Sequence, residues 1–303
     1  MMQSKLALLF SGQGAQQVGM GLDLYEHSPV ARQIWDDAND ILGFDLKQIC
    51  FHGPEQELTQ TKICQPALYV QGYSLFKILE ERGHACQLAM GNSLGELTAH
   101  AVAQTFDFET GLQIVAHRGA WMQAACEQTQ GGMAAILGGQ LADVQSLCAD
   151  FDLDISNINS PGQVVISGKK ENLDQAVIAA PTRGFKRAVP LVVAGAYHSR
   201  LMQPAQEAFK AYLQTIPFKQ PKITVITNVT GQVVDDPEVI KNMLVEQITA
   251  TVNWVGCVQE AQKQSVTQYY ECGPGGILTS LVKKIDPQAS IKSLAQFEDL
   301  MTL

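Results

Sequence analysis

No apolar run in the 303 residues reaches the roughly 18 needed for a membrane-spanning helix. No cleavable signal pattern precedes the strand-like Lys5-Leu-Ala-Leu-Leu-Phe10, so a cytoplasmic chain is expected. Charge is sparse: 17% of residues are charged against 46% hydrophobic, a balance that excludes disorder and provides for a globular core. Basic residues are outnumbered, 21 Lys and Arg against 30 Asp and Glu, and the net charge of −9 argues against general affinity for nucleic acid or anionic membranes. Paired cysteines are missing too. The seven present (50, 64, 86, 126, 148, 257 and 272) are odd in number and scattered, and none forms a CxxC, which points to buried thiols rather than disulfides or a metal site. There is no internal repeat, low-complexity tract or long linker. The length suits one large domain, or one domain carrying a smaller insertion.

What is present alternates. Leu6–Phe10 reads as a strand before the glycine-rich turn Ser11-Gly-Gln-Gly-Ala-Gln-Gln17. Ala67–Arg82 carries apolar residues at helical spacing, Gln87–Met90 reads as a short buried strand, and Leu94–Val102 as a helix. Strand, turn and helix repeated in this way predict a mostly parallel sheet covered by helices. From residue 131 to about 195 the rhythm changes. Strand Met133–Leu137, helix Leu141–Ala149, strands Asp154–Asn159 and Gln163–Ser167, helix Glu171–Ala180 and strand Phe185–Val193 give β-α-β-β-α-β, a ferredoxin-like order. The main unit then resumes with helix Leu201–Leu213 and strands Ile223–Thr227 and Thr267–Glu271. After the turn Gly273-Pro-Gly-Gly276 comes a final helix, Ile277–Lys284.

Between Gln87–Met90 and Leu94–Val102 stands Gly91-Asn-Ser-Leu-Gly95, a Gly-x-Ser-x-Gly between strand and helix. This is the pattern of a nucleophile elbow, whose turn is so sharp that the residues two before and two after the serine have no room for side chains. The plainer reading of Ser93 is a helix N-cap, with Glu96 three residues on completing a capping box. A serine hydroxyl needs a base, usually histidine. His27 and His52 fall in turn-like segments, His84 follows a helix, His117 lies within one, and His100 is two turns along the serine's own helix. His198, in the loop Ala194-Gly-Ala-Tyr-His-Ser-Arg200, is the best placed to swing into a site. Gly12-Gln-Gly-Ala-Gln16 fails the dinucleotide fingerprint, because Gln17 stands at the third glycine position, and there is no P-loop Gly-Lys-Ser/Thr. Its backbone amides better suit an oxyanion hole.

Taken in order, FSGQGAQ (10–16), GNSLGE (91–96), a helix with Arg118-Gly119, NSPGQVVISG (159–168), AYHS (196–199) and ECGPGGILT (271–279) resemble the malonyl-CoA:acyl-carrier-protein transacylases and related polyketide acyltransferases. The resemblance runs over essentially the whole chain. It implies an α/β-hydrolase-like parallel-sheet domain (1–129 and 196–303) with an inserted ferredoxin-like subdomain (130–195). It implies malonyl transfer from malonyl-CoA to the phosphopantetheine thiol of an acyl carrier protein through a seryl ester, for fatty-acid or polyketide synthesis. The enzyme would be a monomer with no cofactor or metal. By the same resemblance Ser93 is the nucleophile, His198 the base, and the amides of Gln13 and Leu94 the oxyanion hole. The main-chain carbonyl of Gln247 orients the histidine, Arg118 binds the malonyl carboxylate, and Tyr197 and Asn159 contact substrate. An aromatic Tyr197 favours malonyl over its methyl-branched homologue. The family carries a histidine before the nucleophile where this chain has Asn92, which is neutral but still able to donate and accept hydrogen bonds. The alternative is an acyl hydrolase that clears carrier proteins; its substrates lack a free carboxylate, which leaves Arg118 without a purpose. A non-catalytic carrier-binding homologue is disfavoured by the intact serine and histidine. Lys186, Arg187, Arg200, Lys283 and Lys284 are candidates for a basic patch facing an acidic carrier.

Overall fold

A computed structural model of the chain describes residues 5–303. The strands, in chain order, are β1 (Lys5–Phe10), β2 (Leu88–Gly91), β3 (Gly131–Leu137), β4 (Asp154–Ser160), β5 (Gln163–Lys169), β6 (Arg187–Pro190), β7 (Thr224–Val225), β8 (Val266–Cys272) and β9 (Ser290–Leu294). They form two sheets. The first, ordered β7-β2-β1-β8-β9, is parallel throughout. Its central strand β1 is apolar without alternation because both faces are covered. Leu6, Leu8 and Phe10 face a core shared with Leu75, Ile78, Ala99 and Val102 of the helices Thr61–Glu81 and Leu94–Val102. Ala7 and Leu9 face the opposite way, toward Trp254, Val258, Leu278 and Val282 of the helices Trp254–Lys263 and Ile277–Ile285. Each large apolar side chain buried there contributes about 1.5–3 kcal/mol.

The second sheet is antiparallel, ordered β4-β5-β3-β6, with helices Leu141–Asp150 and Lys170–Ala179 between its strands in sequence; this is the ferredoxin-like arrangement. Ala134, Ile136, Val164 and Ile166 pack under those helices. Met133 and Val165 point the other way, into the cavity described below. Backbone bonds Ile158 N to Val252 O (2.9 Å) and Val252 N to Ser156 O (2.8 Å) stitch this sheet to the main unit. The Ser156 hydroxyl also donates to the Tyr197 carbonyl at 3.0 Å, which anchors the loop carrying His198.

Several segments differ from the sequence reading. The predicted strand Phe185–Val193 shrinks to β6: Leu191 N makes a last bond to the Met133 carbonyl (2.9 Å), after which the chain turns away and Leu191–Val193 lines the cavity, with Val192 fully exposed. The helix expected from Ala67 begins at Thr61 and runs through Pro66. Ile223–Thr227 is reduced to β7. The helix Ile277–Ile285 is not the last element, since β9 and helix Phe297–Met301 follow it.

Candidate active site

Ser93 sits between β2 and helix Leu94–Val102 with φ 53° and ψ −108°, a conformation non-glycine residues rarely adopt. The flanking glycines make this turn possible. A Cβ on Gly91 would lie 2.1 Å from the Gly95 carbonyl carbon, and one on Gly95 would lie 2.0 Å from the Phe10 oxygen. The hydroxyl makes no capping bond. It lies instead 2.8 Å from His198 Nε2 and accepts from Arg118 Nη2 at 3.1 Å. The capping-box reading of Ser93 and Glu96 is therefore corrected: both side chains turn inward to stronger partners.

His198 is buried, and its Nδ1 is 2.8 Å from the Gln247 carbonyl oxygen. A carbonyl can only accept, so Nδ1 carries the proton and Nε2 is left as the acceptor facing Ser93. Burial, reinforced by the Arg118 charge, lowers this imidazole to about 4. The pair is thus neutral and ready to accept a proton at physiological pH. For a group that must be unprotonated to act, kcat/KM is expected to fall only as pH drops through about 4 and to stay level up to neutrality. A pH–rate profile with an acid limb centred near the ordinary histidine value of about 6.5 would contradict this. The other histidines stay clear of the serine. His27 and His52 end the helices Leu22–His27 and Leu46–His52 rather than lying in turns, and His100 is buried against Thr105 Oγ1 at 3.1 Å.

Arg118 projects from helix Phe108–Gln128 and is 1% exposed, so it is no surface charge. Nη1 donates to Gln65 Oε1 (2.8 Å) and Nη2 to Gln247 Oε1 (2.8 Å), while Nε has no partner. Burial lowers the guanidinium to about 10, opposed by the negative charge of Glu96, so it remains a cation. The cavity above is about 500 Å³. Ser93, His198, Gln13, Tyr197, Asn159 and Asn92 all line it. Met122 and Gln65, which accepts from Arg118, also line it, whereas Arg118 itself is not among the lining residues. Gln13 Nε2 donates to Tyr197 Oη (3.2 Å) and reaches Thr61 Oγ1 (3.4 Å), and the two hydroxyls lie 2.5 Å apart. Burial pushes the Tyr197 hydroxyl well above its ordinary value, so it stays protonated. Leu94 supplies the first amide of the helix that begins after Ser93, where the dipole favours negative charge.

Sequence reasoning missed Asn228, Gln65 and the inward role of Glu96. Asn228 Oδ1 accepts from the Ser93 amide (2.6 Å) while its Nδ2 donates to Gly91 O (2.8 Å), bracing the elbow from both sides. Burial raises Glu96 to about 7, against the hydrogen bonds from Asn228 and Gln247. The proposed basic patch is also thinner than expected. Arg200 is held by Asp152 and Asp154, Lys283 bonds the Ala289 carbonyl and Lys284 the Gln163 side chain. Lys186 and Arg187 stay exposed. Free thiols do not compete as nucleophiles: six of the seven cysteines are buried, and burial raises Cys126 and Cys86 to about 11. Among the described residues no group of three or more His, Cys, Asp and Glu could hold a metal ion, and no helix is long and apolar enough to cross a membrane.

A parallel α/β sheet with a serine elbow, a carbonyl-oriented histidine and a buried arginine at the nucleophile defines a serine-dependent acyl-transfer protein. The family description "Acyl transferase domain" matches residues 7–285. The chain is 36% identical over 302 residues to the malonyl CoA-acyl carrier protein transacylase of Staphylococcus aureus (strain MRSA252), covering 98% of this chain and 97% of that one. It is 37% identical over 291 residues to the protein of the same name from Bacillus subtilis (strain 168), covering 93% and 91%. Among solved structures, a malonyl-transacylase in complex with its type II PKS acyl-carrier protein superposes with a TM-score of 0.96 at 36% identity, covering 99% of this chain and 98% of that one. An acyl carrier protein S-malonyltransferase from Vibrio cholerae O1 biovar eltor superposes at 0.94, with 36% identity and 99% of each chain covered. The chain belongs to the malonyl-CoA:acyl-carrier-protein transacylase family.

Proposed function

We propose that this protein moves the malonyl group from malonyl-CoA to the phosphopantetheine thiol of an acyl carrier protein, supplying fatty-acid or polyketide synthesis in the cytoplasm. Catalysis is placed in residues 1–129 and 196–303, with 130–195 as the subdomain closing the cavity. Ser93 Oγ attacks the thioester carbonyl as His198 Nε2 takes its proton. The amides of Gln13 and Leu94 hold the oxyanion. The intermediate collapses, the C–S bond breaks, and the His198 proton passes to the departing CoA sulfur. The carrier thiol then enters, gives its proton to His198 and attacks the seryl ester, and Ser93 leaves carrying that proton. The Gln247 carbonyl keeps the imidazole in the required tautomer throughout. Arg118 pairs with the free carboxylate, exchanging its bond to Ser93 for the substrate. Tyr197 and Asn159 bound the space at the α-carbon.

The observation that carries this reading is the buried Arg118 cation 3.1 Å from the nucleophile's oxygen. A site for neutral acyl chains would leave that charge unpaired, at a cost of several kcal/mol. The test supplies malonyl-CoA labelled in the acyl group, with and without phosphopantetheinylated carrier protein. Label is expected to move to the carrier with stoichiometric release of CoA. Label recovered as free malonate at the same rate in both samples would favour the hydrolase.

A further inference from the structure

We infer that Glu96 is a positioning residue for acyl transfer, aligning the nucleophile, the base and the arginine through one carboxylate oxygen. This rests on the function proposed above. Glu96 is 0% exposed, three residues after Ser93 on the helix that begins at Leu94. Its Oε2 accepts from the Asn228 backbone amide (2.9 Å) and from Gln247 Nε2 (2.6 Å). Each of those residues reaches the reacting groups. The Asn228 side chain bridges the Ser93 amide (2.6 Å) and the Gly91 carbonyl (2.8 Å), so holding its backbone holds the strained turn. Gln247 binds the Ser93 carbonyl through Nε2 (3.0 Å), Arg118 through Oε1 (2.8 Å) and His198 through its main-chain oxygen (2.8 Å).

Glu96 joins the Ser93 carbonyl and the Arg118 guanidinium in fixing which way round the Gln247 amide sits. A glutamine amide can sit either way round, since its oxygen and nitrogen ends are nearly the same shape. A carboxylate oxygen only accepts, as does the Ser93 carbonyl, so both take the Gln247 NH₂ and Oε1 is left facing the guanidinium; the Glu96 bond is the shorter of the two, 2.6 Å against 3.0 Å. The reversed amide would set NH₂ against Arg118 and an oxygen against a carboxylate. Hydrogen bonding alone does not ask for an acid here, although the Arg118 charge favours one: Oε1 of Glu96 has no hydrogen-bond partner, and His100 Nε2, 4.0 Å away, is also unpartnered. A buried carboxylate costs the fold several kcal/mol. What it supplies is an acceptor at a fixed reach.

Two near-isosteric variants separate reach from charge. Glu96→Asp keeps the charge but withdraws the oxygen by one methylene. Glu96→Gln keeps an acceptor oxygen at the same reach, loses the charge, and offers its NH₂ to His100 Nε2. Single-turnover acylation by malonyl-CoA, normalised to the acylatable fraction from intact mass, reads the rate per folded site. Glu96→Asp is expected to lose about 100-fold in this rate, the scale of a 1 Å misplacement, with KM little changed. Glu96→Gln is expected to stay within about tenfold of wild type, the cost of one weakened hydrogen bond. Should the aspartate variant not fold, Gln247→Met takes its place, since it retains the carbonyl that holds His198 and deletes only the side-chain relay; the same loss is expected. The reverse order, with aspartate faster than glutamine, would mean that Glu96 acts by charge and overturns the inference. So would wild-type rates in Glu96→Asp or in Gln247→Met. Failure of the acyl-transfer reading is distinct, because wild type itself would then not acylate.

Discussion

Arg118→Ala is expected to lower kcat/KM for malonyl-CoA by about 30- to several-thousand-fold, the range for losing one side of a desolvated charge pair at 2–5 kcal/mol. The structure strengthens the reason. The guanidinium is buried and cationic, with Nη1 fixed by Gln65 and Nη2 by Gln247, and Nη2 also reaches Ser93 Oγ. In the proposed function a free carboxylate takes over the Nη2 bond that Ser93 Oγ accepts. Acetyl-CoA brings no carboxylate, so its turnover should stay the same or rise as an unpaired cation is removed. The diagnostic quantity is the ratio of the malonyl to acetyl specificity constants, which cancels any shared disturbance of Ser93. A large fall in that ratio is the expected result. Equal decline of both substrates would make Arg118 a structural residue and favour the hydrolase.

His198→Ala is expected to slow the first half-reaction by about 100- to 10,000-fold, the usual worth of a positioned general base. The loss should appear in kcat rather than KM, because in the proposed mechanism His198 takes the reacting proton of Ser93, 2.8 Å away. In the proposed mechanism both halves use the same imidazole, so deacylation by the carrier thiol should slow as well. Single-turnover rates for each half, measured separately, check this. Loss confined to one half would mean that a second base serves the other.

Much of this site could be read from contiguous residues. The elbow was legible because its constraint is local: Gly91 and Gly95 lie within five residues and touch each other. The ferredoxin-like insertion was legible from the change in element order after residue 131, where strands Asp154–Asn159 and Gln163–Ser167 follow each other directly. The bracing of the site was not. Asn228 reaches Ser93 across 135 residues, and no periodicity announces a polar side chain that meets its partner only in the folded chain. Glu96 misled for a related reason. At three residues from Ser93 it fits a capping box, but the competing donors at Asn228 and Gln247 exist only once the distant segments arrive. At β6 the apolar run Leu191-Val-Val193 reads as strand, because a residue lining a cavity and one buried in a sheet carry the same side chains.

If Ser93 carries the malonyl group, the mass of the enzyme after brief exposure to malonyl-CoA without carrier protein will show it. One malonyl adduct per chain is expected, located by peptide mass analysis within the segment containing Gly91–Glu96 and discharged when carrier thiol is added. An adduct on a cysteine, or equal labelling of Ser93→Ala, would contradict that role of Ser93.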